Sequence, residues 1–194
     1  MKPSIIIGRR ATIIAVFSGL LAAAPGAALA HCDTLDGPVV AAARKALDTG
    51  NVNLVLIWVQ ERDDAEIRNH FRKTVAVRKA GGQARELADM YFFETLVRIH
   101  RAGEGASYDG IKPTGTVLDP KVVAADEAME TGNLNPLMAL IPADKHSELR
   151  RRFDKAMALK QFNVNDLAAG RAYIAAYVSF YKYAEGEEHH HHHH

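Results

Sequence analysis

The chain has 194 residues, of which 48% are hydrophobic, and it carries 24 Lys and Arg against 23 Asp and Glu. That balance excludes a strongly basic nucleic-acid binder, and a single cysteine excludes an internal disulfide framework. Six of the ten histidines form the run His189–His194, a purification tag, which leaves His31, His70, His100 and His146.

In chain order, residues 1–30 read as a cleavable signal peptide. Lys2, Arg9 and Arg10 supply the charged start, Ala11 to Ala24 the apolar stretch, and Ala28-Leu29-Ala30 the small-x-small cleavage site. The apolar stretch is short and contains Gly19, which favours a removable leader over a stable membrane span. Cleavage after Ala30 predicts a periplasmic or secreted protein beginning at His31. Without the leader's three basic residues the chain has 21 basic against 23 acidic side chains, a net charge of −2. Export and this charge both argue against nucleic acid as a partner. Residues 31–186 then suffice for a single helical domain.

Within that domain the segment Pro38 to Asn53, PVVAAARKALDTGNVN, recurs 82 residues later as Pro120 to Asn135, PKVVAADEAMETGNLN. Glu66, Arg68, Phe71 and Lys73 meet Glu148, Arg150, Phe153 and Lys155 at the same offset. Each unit reads as helix, turn, helix, helix. The first helix opens near Pro38 and stops at Gly50, a residue suited to a left-handed cap. Asn53 is expected to cap a short helical piece, and Asp63-Asp64 to open a longer helix with Ile67, Phe71 and Val75 on one face. Gly81-Gly82 breaks it, and Gln83 to Arg101 forms a broadly apolar helix. Residues 103–119 read as a glycine-containing linker, after which the plan repeats. Units of about 37–102 and 120–185 with adjoining apolar faces predict an all-α fold. It is a helical bundle of two tandem duplicated units with pseudo-twofold symmetry.

A duplication is its own control, because polar residues present in one half only are candidates for function. His70 corresponds to Arg152, Glu94 to Ala175 and His100 to Tyr181, while His31 and Cys32 fall opposite Pro113 and Thr114 in the linker. His100 shares the apolar face of Phe93 and Leu96, which fits either a satisfied core histidine or a ligand. Glu94 is either a surface ion-pair partner of Arg98 and Arg101 or a buried carboxylate that orients a histidine. Glu66 and His70, four residues apart, fit helix-surface pairing and also a spacing used by metal sites. His146 is expected to be solvated.

The strongest chemistry lies in His31-Cys32-Asp33. After cleavage, the α-amine and imidazole of His31 and the amide and thiolate of Cys32 can close five- and six-membered rings around one ion. Nitrogen donors with one thiolate favour Ni(II) or Cu(II), and thiolate softness also admits Cu(I). Asp36 is expected to cap the helix at Gly37-Pro38, with an oxygen-ligand role as the alternative. His31-Cys32-Asp33, with Gly37 a few residues on, resembles the amino-terminal hook of nickel superoxide dismutase, which is carried on a four-helix bundle. The resemblance implies nickel ligation by His31 and Cys32. That family places a second cysteine ligand where Asp36 stands here, and losing a thiolate argues against dismutase activity. The chain as a whole, including the stretch from Phe92 to Gly105, resembles an uncharacterised bacterial family of exported helical proteins whose mature chains start His-Cys-Asp.

The expected function is therefore an exported protein that binds a Ni or Cu ion through His31 and Cys32, with His100 and Glu94 completing or supporting the metal site. The alternatives are a dismutase-like redox enzyme, or an envelope interaction protein whose Cys32 forms an intermolecular disulfide, with a homo-oligomer as a further possible assembly. No catalytic residue is assigned.

Overall fold

The computed structural model describes residues 30–186. The expected leader, apart from Ala30, and the histidine tag lie outside the described residues. A 3-10 turn at Ala30–Asp33 leads into α1 (Pro38–Thr49), α2 (Asn53–Leu56), α3 (Asp64–Arg78) and α4 (Gly82–Gly103). The linker comes next, then α5 (Pro120–Thr131), α6 (Asn135–Met138), α7 (His146–Leu159) and α8 (Leu167–Glu185). The fold is all-α, as the periodicity requires, with no strand among the described residues. None of these helices is long and apolar enough to cross a membrane.

The same local chemistry shapes both halves. Pro38 and Pro120 sit in first turns, where a missing N–H costs nothing, and Gly50 and Gly132 end the helices at φ 72° and 78°. Thr49 donates its hydroxyl to the Lys45 carbonyl at 2.7 Å, as Thr131 does to Glu127 at 2.7 Å. Asn51 then accepts the N–H of Asn53 at 3.0 Å, and Asn133 that of Asn135 at 3.2 Å. The expected cap at Asn53 is thus displaced: Asn51 makes the bond, and Asn53 is the first helical residue.

Long helices pair within each half, α3 on α4 and α7 on α8. The first core centres on Val40, Ile67, Phe92, Leu96 and Val97, and the second on Leu137, Leu149, Phe153 and Phe180. Each fully buried side chain of this size contributes about 1.5–3 kcal/mol. Trp58 packs against both cores. Where α8 meets the first half, a Cβ on Gly170 would lie 2.4 Å from Ile57 Cγ2, so a larger residue there would push the halves apart. At the next residue, the Arg171 guanidinium donates to the carbonyls of Leu56 at 3.2 Å and Val59 at 3.3 Å and pairs with Asp64. These contacts fix the seam along which the N-terminal segment lies.

Candidate functional site

The segment His31–Thr34 is held in place by its backbone before any side chain acts. The Lys112 N–H donates to the Asp33 carbonyl at 2.8 Å, and the Lys112 carbonyl accepts from Leu35 at 3.0 Å. The linker thereby straps the segment down. Gly37 closes the turn from the other side, because a Cβ there would stand 2.1 Å from the His31 carbonyl oxygen. The cap expected of Asp36 is not made: Gly37 occupies the cap position without a side-chain bond. Asp36 instead accepts the Gly115 N–H at 3.0 Å, a bond that holds its carboxyl below the usual range. A carboxylate needed to anchor the linker is unavailable to the helix end.

So positioned, His31 and Cys32 are both buried, at 9% and 7% exposure. The His31 ring stacks on Tyr181, with centroids 5.3 Å apart and planes within 10°. Its Nε2 lies 2.9 Å from Oδ2 of Asp126 in α5. A carboxylate only accepts, so Nε2–H is the donor, and Nδ1 is the ring nitrogen that this bond leaves free. The other oxygen of Asp126 accepts the Tyr181 hydroxyl. Burial and the neighbouring Asp126 carboxylate push the Tyr181 hydroxyl well up, so it remains a donor. Cys32 shares with His31 a cavity of about 20 Å³, room for one water-sized atom, whose walls include Glu104, Tyr177, Tyr181 and Lys182. Burial, reinforced by the charge of Glu104, pushes the Cys32 thiol up and keeps it protonated. Asp33, buried beside Arg101 at 3.4 Å, is raised by its burial to about 6 against the pull of that guanidinium.

His100 lies in α4 at the edge of a separate cleft of about 370 Å³ between α8 and the segment after α2. Its Nδ1 is 2.7 Å from the Trp58 carbonyl oxygen. The carboxylate beside it is that of Glu104, 3.8 Å from Nε2. The carboxylate of Glu94, by contrast, accepts the Tyr108 hydroxyl and, at 3.5 Å, the Ile111 N–H, which ties α4 to the linker. The structure therefore brings His31 and Cys32 together, sets His100 one wall away, and gives Glu94 to the linker. Glu104, Val178 and Lys182 form the wall common to cavity and cleft.

His70 and Glu66 pair on the helix surface at 3.8 Å, with His70 Nδ1 also 2.7 Å from the Tyr91 hydroxyl. His146 is half-buried rather than solvated, with Nε2 2.8 Å from the Ile141 carbonyl oxygen. An intermolecular disulfide needs the sulfur at the surface, and Cys32 is buried.

Sequence reasoning missed Asp126, Tyr181 and Glu104. The first two carry a signal that was available. Asp126 stands opposite Arg44 and Tyr181 opposite His100, so both are polar residues peculiar to the second half.

Residues 36–183 match the family described as a family of unknown function, DUF6448. The chain belongs to the DUF6448 family. The match begins at Asp36, so it covers Asp126, Tyr177 and Tyr181, while His31 and Cys32 precede it. No curated protein and no solved structure matches this DUF6448 chain. Among its described residues, no group of three or more His, Cys, Asp or Glu side chains is placed to hold a metal ion. A terminal hook differs from such a site because two of its donors, the amine and an amide, belong to the backbone.

Proposed function

We propose that this protein binds a single Ni or Cu ion through an amino-terminal hook formed by His31 and Cys32 once the leader is removed. The observation that carries the reading is the bond from His31 Nε2 to Asp126. It fixes the tautomer that leaves Nδ1 free, and Nδ1 is the ring nitrogen that can close a chelate with the His31 α-amine. Carboxylates commonly orient metal-binding histidines in this way. Cys32 lies in the same small cavity and supplies the thiolate, whose formation burial opposes, so uptake releases a proton. In the full chain His31 is preceded by Ala30, so its nitrogen is a peptide nitrogen and the hook requires processing.

His100 and Glu94 do not line that cavity and stand outside the donor set. The reading includes export by residues 1–30 to the periplasm or beyond. It also includes descent from a tandem duplication whose second half became the cradle for the hook, supported by the matching Thr-Gly-Asn-x-Asn bonds. It assigns binding, not turnover.

The test compares two tag-free proteins, one beginning at His31 and one retaining Ala30. The first is expected to take up one Ni(II) or Cu(II) with a thiolate charge-transfer band, and the second to bind more weakly without that band. Equal affinities and identical spectra would sink the hook.

A further inference from the structure

One face of α8 lines the larger cleft and carries a cation at each end. Arg171, Ile174, Val178 and Lys182 follow one another along it at three- and four-residue steps. The two cations are separated by a helix length of about 16 Å. They differ in what they hold. Arg171 spends its guanidinium on the Leu56 and Val59 carbonyls and on Asp64. Lys182 is 9% exposed, yet its ammonium makes no hydrogen bond or ion pair among the described residues. A lysine this deeply buried is almost always paired, because desolvation penalises a bare charge.

The first half shows what Lys182 lacks. The alignment that sets His100 against Tyr181 also sets Arg101 against Lys182. Arg101, 5% exposed, donates to the Ser107 carbonyl at 3.2 Å and has Asp33 at 3.4 Å and Glu104 at 3.8 Å. Among the described residues no carboxylate stands so close to Lys182. The charged side chains lining the cleft are Arg171 and Lys182 against Glu104 alone. Glu104 buries its Oε2 towards Arg101 and His100, so that oxygen is sealed from the cleft. The charges acting on His100 are likewise Glu104 against Arg101 and Lys182, one positive charge in excess.

We propose that this cleft binds a small monocarboxylate with a hydrocarbon body. Its carboxylate supplies the partner that Lys182 lacks, and its chain lies along Ile174 and Val178, beside Trp58, towards Arg171. Aliphatic and aromatic walls accept such a chain, and about 370 Å³ is ample for a small ligand. The ammonium of Lys182 repels a cationic amphiphile and leaves a neutral one without its charged partner. The site stands whether or not His31 binds a metal.

Trp58 is the only tryptophan in the chain, so intrinsic fluorescence reads the cleft directly. Tag-free protein with a chelator present is titrated near neutral pH with octanoate, octanol and octylammonium. The expected result is a saturable change in Trp58 emission, with octylammonium the weakest ligand. Octanoate is expected to bind at least about tenfold more tightly than octanol, the worth of one charge-assisted hydrogen bond. Lys182→Met keeps the buried stem and removes the charge. It is expected to retain its circular dichroism, to melt no lower than the parent, and to bind octanoate no better than octanol. Lys182→Arg, which keeps the charge, is expected to keep the preference. Equal binding of the three probes by the unsubstituted protein overturns the proposal, as does the absence of saturation or a preference for octylammonium. A folded Lys182→Met protein that still prefers octanoate overturns it as well. The probe series on the unsubstituted protein decides the question on its own if Lys182→Met does not fold.

Discussion

Asp126 belongs to the second half of the molecule, yet the ring it holds belongs to the first. Its two oxygens serve two donors, His31 Nε2–H and the Tyr181 hydroxyl, so the carboxylate locks both rings of the stack. Asp126→Asn keeps the shape but replaces one acceptor oxygen with a donor nitrogen, which leaves the His31 tautomer unspecified. In tag-free protein beginning at His31, Ni(II) affinity is expected to fall by about 10–100-fold, the usual cost of losing a carboxylate behind a metal-binding histidine. Calorimetric titration checks this, and a variant that binds as tightly as the parent removes Asp126 from the site. The residue was within reach of the sequence. The 82-residue offset sets it against Arg44, and a charge reversal between otherwise matching helices is a polar asymmetry like that of His100 and Tyr181. Glu104 was not within reach, because its place in the wall common to cavity and cleft depends on how α4 meets α8.

Among the elements, the 3-10 turn at Ala30–Asp33 depends on the space left by Gly37. That glycine has φ −72°, a value any residue adopts, so its requirement is one of space alone. In Gly37→Ala the methyl meets the His31 carbonyl at 2.1 Å and forces the turn away from α1. The expected cost is about 1–3 kcal/mol, typical of overpacking, read as a lowered denaturation midpoint with helix content retained. In α7, Glu148 accepts from Arg151 at 2.6 Å and Arg152 at 2.7 Å, and Arg152 reaches Ser179 of α8 at 2.7 Å. The bond from Arg151, reinforced by that from Arg152, holds the Glu148 carboxyl down at about 2. A depressed acid stabilises the fold above its ordinary pKa and loses that contribution as pH falls through the depressed value. Unsubstituted protein should therefore exceed Glu148→Gln in melting temperature at neutral pH and converge with it between about pH 4.5 and 2. The difference should stay below about 1 kcal/mol because the group is partly solvated. A gap unchanged across that range removes the ion pairs from the stability of α7. Helix starts and stops were legible because proline and glycine act locally. The cap expected at Asp36 is absent because a long-range partner, the Gly115 N–H, outcompetes the helix end.

At the scale of the molecule, the two halves keep separate cores that Trp58 joins. Arg171 adds polar ties across the same seam. One cooperative unfolding transition is expected, with circular dichroism and Trp58 emission changing together. Trp58→Ala should remove about 3 kcal/mol and, by uncoupling the cores, broaden or split the transition in circular dichroism. A sharp single transition in that variant places the coupling elsewhere. The helical class could be read from periodicity, since apolar spacing, proline and glycine act locally. The seam could not, because a repeat specifies each unit and says nothing of which faces meet.

The strap that Lys112 lays over Asp33 and Leu35 has a kinetic consequence. The one thiol of the chain, that of Cys32, directly precedes the strapped Asp33 and is buried and protonated. A soluble disulfide reagent can reach that sulfur only when the segment lifts. At low reagent concentration the labelling rate reports how often the segment is open, and at saturating reagent it becomes the rate of lifting itself. Cys32 is thus a built-in clock for the motion that would admit or release whatever the small cavity holds.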